Sequence, residues 1–321
     1  MKRILAVIMC LILAVGFSAC GNGNRNNGKI KIVTTIFPIY DWTREIAGNS
    51  DSVEIEMLID NGVDLHSFQF TPKDKIDIIT SDMFVYVGGE SDKWVNDVMA
   101  DKQNENMVVI NLMDALGSGK KTEELKEGMQ EEGEEEEEDE EGPEYDEHVW
   151  LSLKNAVILC NAICEGLCKA DPNNADTYKA NNEAYKEKLK ALDADYKAAV
   201  DSAEKKTLVF ADRFPFRYLA DDYSIDYYAA FSGCSAESEA SVETFTFLAG
   251  KIDELGLNSV MKIEGPNMSI AEQVKSIASN KDLTVLTLNS MQSVTAADIG
   301  AGATYLKLCS ENLEVLKEAL K

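Results

Sequence analysis

The stretch DPNNADTYKANNEAYKEKLKALDADYKAAVDSAEKK, residues 171–206, decides how the rest of the chain divides. Its apolar positions Tyr178, Tyr185, Leu189, Leu192, Tyr196 and Val200 recur at helical spacing over roughly seven turns. The spacing predicts one long helix begun near Asp171–Pro172. Before it come four strand-like runs: KIKIVTTIFP (29–38), VEIEMLI (53–59), MFVYVGG (83–89) and NMVVINLM (106–113), with helical segments between them. After it a second series starts, with TLVFA, IDYYAAF, SVMKIE and LTVLTLN as strands and helices again between. Strands alternating with helices demand a mainly parallel sheet flanked by helices. The expected fold is α/β: an N-terminal lobe (29–170) and a C-terminal lobe (207–321), bridged by the rigid helix of 171–206. A ligand cleft is expected between the lobes, at the carboxyl ends of the strands.

The chain has 321 residues, more than one core usually holds, which agrees with two lobes. Lys2 and Arg3 precede the apolar run ILAVIMCLILAVGF, which ends in Ser18-Ala19-Cys20. That layout is a secretion signal, too short to be a good membrane span. FSAC resembles a bacterial lipobox, so residues 1–19 are expected to be a lipoprotein signal peptide and Cys20 the lipidated first residue of the mature protein. Residues 20–28 then form a flexible tether. The body would work outside the cytoplasm, held to the bacterial cell membrane by its lipid.

The net charge of −26 excludes nucleic acid as a natural partner and favours cations. Residues 118–147 read as an acidic, self-repelling mobile loop. Within it, 131–147 holds 13 acids in 17 positions and no base. Cys160, Cys164 and Cys168 line one helix face as structural thiols, since i,i+4 partners are poorly placed for a disulfide. Whether Cys234 and Cys309 pair is open.

Only two histidines occur, His66 in DNGVDLHSFQFTPKD and His148 in DEHVWLSLKNA, and both fall in loops. Histidine is the commonest neutral metal ligand, and loops at a sheet's carboxyl end bring distant residues together. The motifs IVTTIFPIYDWTREIAG, VDLHSFQFTPKD, HVWLSLKNA and GATYLKLCSENLEVLKEAL resemble the zinc- and manganese-binding lipoproteins that feed metal-ion ABC transporters. The resemblance covers nearly all the mature chain, in order. It implies two α/β lobes bridged by a long helix, a charged variable loop before the second histidine, and a membrane ABC permease as partner. The protein would be a monomeric binding component and no enzyme, with zinc as its ion and manganese as the alternative.

The resemblance maps two ligands onto His66 and His148. The third ligand position falls on Arg213 in FADRFPFRYL, and a guanidinium offers no lone pair to a metal. The fourth falls on Asn289 in LTLNSMQS, whose amide oxygen can bind a hard cation. Glu239 is the acid expected to complete the site with Asn289, with Asp212 and Glu264 as further compensating acids. Arg213 is expected within ion-pair distance of Glu239 or Glu264. Imidazole ligands suit zinc.

Three other readings stay open. A metallohydrolase would use the histidines, although the chain has no HExxH or GxSxG pattern. A binding lipoprotein could instead take an anion on Arg213 and Arg217. An adhesin could keep the fold without transport.

Overall fold

Among the described residues, β-branched and aromatic runs bounded by turn residues form eight strands. Four are β1 (Ile30–Thr34), β2 (Val53–Met57), β3 (Met83–Tyr86) and β4 (Val108–Asn111), and four are β5 (Thr207–Arg213), β6 (Asp226–Phe231), β7 (Ser259–Lys262) and β8 (Thr284–Thr287). The helices are α1 (Phe37–Ala47), α2 (Pro72–Ile79), α3 (Val95–Ala100), α4 (Leu112–Leu116), α5 (Leu153–Ala170), α6 (Ala175–Ser202), α7 (Arg217–Tyr223), α8 (Val242–Leu255), α9 (Ser269–Ile277), α10 (Ala296–Gly300) and α11 (Tyr305–Ala319). This computed structural model describes residues 28–321 apart from 49, 131–143, 236–238 and 266–267. The expected signal peptide, Cys20 and most of the acidic run lie outside the described residues.

Each half forms one four-stranded, wholly parallel sheet, ordered β2-β1-β3-β4 in the first and β6-β5-β7-β8 in the second. The order is the same because each chain half makes the same moves: out from the first strand to one side, then back across it. The two-lobed α/β architecture is therefore as the sequence requires.

The bridging helix α6 starts at Ala175, after a short 3-10 turn over Pro172–Asn174. Its six periodic apolar side chains are all buried. It packs on α1, α5 and α11. Near its end Tyr196 donates to the Cys309 carbonyl at 2.6 Å and stacks on Tyr223. One strut thus grips both lobes, and a single apolar cluster runs through them from Ile32 to Leu316. Cys160 and Cys164 belong to it, and all five described cysteines are free, so Cys234 and Cys309 are not paired. Among the described residues no helix is long and apolar enough to cross a membrane.

The flanks of the acidic run correct the expectation of a loose loop over the whole of 118–147. Thr122 bridges Tyr145, and Lys126 pairs with Asp226 of β6. Arg217 pairs with Glu124, the Gln130 N–H donates to the Ala230 carbonyl, and the Ser241 N–H donates to Gln130. Paired backbone and matched charges tie this strap from the first lobe onto the second. Composition alone reads as disorder because it does not see these partners.

Buried Asp41 on α1 accepts from the Tyr305 N–H at the start of α11 and pairs with Arg44. Burial pushes its pKa up from 3.8 to about 6, although the Tyr305 N–H and Arg44 pull the other way. A carboxyl raised in this way stabilises the fold below its unfolded pKa, and that contribution is lost as pH rises through about 6. Asp41→Asn keeps an acceptor for Tyr305. Relative to the parent it should gain about 1–3 kcal/mol between pH 4 and pH 7.5 in urea unfolding. A pH-independent difference would contradict this.

Candidate metal centre

His66 is carried by a 3-10 turn, Leu65–Ser67, in the loop that follows β2. Asp64 caps that turn, its Oδ1 accepting the His66 backbone N–H at 2.9 Å. Behind the ring, Nδ1 meets the Ser91 hydroxyl at 2.7 Å, in the loop after β3. Ser91 is fixed in turn, because its N–H donates to Glu147 Oε1 at 2.8 Å. Gly89 makes this fit possible: a Cβ there would fall 2.4 Å from Glu147 Oε1, and its φ of +87° suits glycine alone.

His148 is fully buried at the start of the turn leading into α5. Its Nδ1 donates to Asp146 Oδ1 at 3.0 Å, and the same oxygen accepts the His148 backbone N–H. A carboxylate can only accept, so the proton of a neutral His148 sits on Nδ1 and the Nε2 lone pair is free. That lone pair faces His66 Nε2 at 3.2 Å. Two nitrogens each about 2.0–2.1 Å from one tetrahedral zinc stand about 3.3 Å apart. The Ser91 hydroxyl can accept from Nδ1 as readily as donate to it, so it can free the second lone pair as well.

Burial, followed by the neighbouring His148, pulls the His66 pKa down to about 3. Burial acts on His148 in the same sense, but Asp146, aided by Glu147 and Asp64, raises its pKa above the ordinary value. Glu147 itself is raised by burial. The two rings therefore share a negative pocket that a cation would relieve.

The second lobe closes the site. Arg213, at the end of β5, reaches across the cleft to Asp64 Oδ2 at 2.8 Å and donates to the Ser235 carbonyl at 3.2 Å. Burial alone would raise the Asp64 pKa, but Arg213 and His66 together hold it below the usual value. Beside Ser235, Cys234 places its sulfur with one nitrogen from each histidine so that the three atoms lie within 4.8 Å of one another. Burial, then the charges of Asp146, Glu123 and Glu147, push the thiol pKa up.

Residues 32–319 match the family described as zinc-uptake complex component A, periplasmic (ZnuA). The chain belongs to the ZnuA family. It is 30% identical over 320 residues to the zinc-binding lipoprotein AdcA of Streptococcus pneumoniae serotype 4, covering 99% of this chain and 61% of that protein. The high-affinity zinc uptake system protein ZnuA of Bacillus subtilis is 29% identical, with 99% of this chain and 96% of that protein covered. The chain spans only about 56% of the length of the Streptococcus pyogenes AdcA proteins it matches. Among solved structures, the Zn(II)-bound ZnuA-like domain of S. pneumoniae AdcA superposes with a TM-score of 0.71 at 29% identity. That match covers 91% of this chain and 99% of that one.

Against this ZnuA frame, the expected C-terminal partners need correction. Arg213 pairs with Asp64 and with neither Glu239 nor Glu264, because the guanidinium extends across the cleft and not along its own lobe. Glu264 is engaged by the Ser290 N–H and hydroxyl, both at 2.7 Å. Asn289 has its amide oxygen taken by the Met291 N–H at 2.7 Å. Asn289 and Glu264 line a cavity of about 570 Å³ with Gly62, Asp298 and Lys307. Glu239 is exposed and outside the ligand-bearing group. Asp212 accepts the N–H groups of Arg213 and Ile263, holding the end of β5 and thereby Arg213. The sequence reading missed Asp64, Ser91, Asp146, Glu147 and Cys234. Asp64 and Asp146 each stand two residues before a histidine, the one signal that could have been read.

The Asp64–Arg213 pair ties the His66 turn to the opposite lobe. A double-mutant cycle with Asp64→Asn and Arg213→Gln, read by urea unfolding, should give a coupling energy of about 1–3 kcal/mol. Additive effects would show that the bridge holds nothing together.

Proposed function

We propose that this protein captures a zinc ion outside the cytoplasm and delivers it to a membrane ABC permease. The observation that carries this reading is the facing pair His66 Nε2 and His148 Nε2, 3.2 Å apart, each ring held from behind by an oxygen. Two lone pairs brought together in a nearly dry pocket repel one another until a proton or a metal ion lies between them. A dication is also drawn by Asp64, Asp146 and Glu147, and imidazole suits zinc better than manganese. Manganese remains the alternative ion.

The protein acts as a monomer tethered through lipidated Cys20, with the permease as its partner and with no enzymatic step of its own. The layout of residues 1–28 supports the tether. The anion-binding reading loses its support, since Arg213 is committed to Asp64 and Arg217 to Glu124 and Asp221. His66 and His148 are the ligands in this proposal. Loss of outer oxygen partners in metal sites typically weakens affinity about 10- to 100-fold, so loss of a ligand should exceed that. His66→Ala and His148→Ala should each weaken zinc binding by more than about 100-fold in competitive chelator titration, with unchanged circular dichroism. Parent-like affinity in both variants would overturn the assignment.

The acidic run serves as a collector of cations. Removing residues 131–143 should slow zinc capture several-fold at low ionic strength and leave it unchanged near 1 M salt, where the screening length is about 3 Å. Loss of equilibrium affinity would show instead that the run contributes a ligand.

A further inference from the structure

The two lobes offer the histidines a partner that the sequence motifs do not point to. β6 is the second strand of its sheet, as β2 is of the other, so Cys234 occupies in the C-terminal lobe the place that His66 occupies in the N-terminal one. The loop holding Cys234 is pressed against the histidine pair. At Gly233 a Cβ would fall 2.9 Å from the Phe214 carbonyl oxygen and 3.2 Å from His148 Nδ1 and Cε1, so no side chain separates the loop from the ring. The loop is also pinned at two adjacent residues. The Cys234 N–H donates to Glu123 Oε1 at 2.9 Å, and the Ser235 carbonyl accepts from Arg213, whose other nitrogen holds Asp64. Glu123 belongs to the strap that crosses from the first lobe and Arg213 to the second, so the loop is held by one anchor from each lobe. Among the described residues, the side chains of His66, His148 and Cys234 are the one group of three placed to share a metal ion.

We propose that Cys234 is the third ligand of the zinc ion and makes the site selective for zinc over manganese; this rests on the zinc-capture reading above. The thiol gives its proton to solvent as the sulfur–zinc bond forms, so zinc gains a thiolate donor and one proton is released. Zinc–sulfur bonds of about 2.3 Å and zinc–nitrogen bonds of about 2.0–2.1 Å place sulfur about 3.6 Å from each nitrogen. A sulfur within 4.8 Å therefore closes by about 1.2 Å at most, within reach of a side-chain rotation. Thiolate is a soft donor that favours zinc, whereas manganese prefers carboxylate, carbonyl and water. Both histidines come from the N-terminal half of the chain and Cys234 from the C-terminal half, so parting the lobes leaves the ion with two ligands and eases its release.

The test uses the full chain without its signal peptide and cobalt(II) as an optical probe of the site. The cobalt complex should show a near-ultraviolet thiolate-to-metal charge-transfer band. Cys234→Ser should lose that band, while Cys168→Ser keeps it. In Cys234→Ser, zinc affinity should fall at least tenfold and manganese affinity should change less than threefold. A cobalt complex lacking the band, a band that survives Cys234→Ser, or an unchanged zinc-to-manganese ratio would overturn the proposal while leaving zinc capture standing. Failure of both zinc and cobalt to bind the parent would overturn both. Should Cys234→Ser fold poorly, alkylation of the parent followed by peptide mass analysis decides. Zinc should slow labelling of Cys234 at least tenfold, and unprotected labelling would refute the assignment.

Discussion

Two imidazole nitrogens facing each other at 3.2 Å are an arrangement that an isolated pair of side chains would not hold, and much of the local structure serves to hold it. Asp146 fixes one ring and Ser91 the other, while Glu147 fixes Ser91. Each is placed by a short turn at the carboxyl end of a strand or at the entry to a helix. The rings come to the meeting already oriented, so little rotamer entropy remains to be lost when an ion binds.

The second constraint is the closure of the lobes. Asp64 accepts the His66 N–H with one oxygen and the Arg213 guanidinium with the other. One carboxylate thus links ring placement to lobe closure. Arg213 offers a metal no lone pair but adds a charged bridge, one guanidinium nitrogen holding Asp64 and the other the Ser235 carbonyl. The strap of residues 120–130 works in the same sense from the outside, with Glu124 and Lys126 meeting Arg217 and Asp226. The helix α6 limits how far the lobes can move, since it is buried against helices of both.

The α/β class, the bridging helix and the two histidines could be read from the sequence because each is local. Periodicity over Tyr178–Val200 marks a helix wherever it packs, and β-branched runs between turn residues mark strands. The rarity of histidine gave its two positions weight. The family resemblance was sound for the fold, while in the structure the Asn289 amide oxygen accepts from the Met291 N–H and Glu239 is exposed. Position within a motif shows where a ligand usually stands and does not show where a substituted side chain goes.

What the sequence determined by itself was therefore the set of elements, their order and the two histidines that the fold brings together. The tertiary structure alone decided which groups meet across the cleft. Arg213 and Asp64 are 149 positions apart, and the sequence carries no sign of their pairing. In the sequence Cys234 raised only the question of pairing with Cys309, and it is the missing side chain at Gly233 that lets its loop lie against His148. Periodicity registers how each segment buries its own apolar face, which depends on neighbours a few residues away. Contacts across a cleft depend on how two finished lobes dock, and that is set by α6 and the shared core rather than by any one stretch of chain.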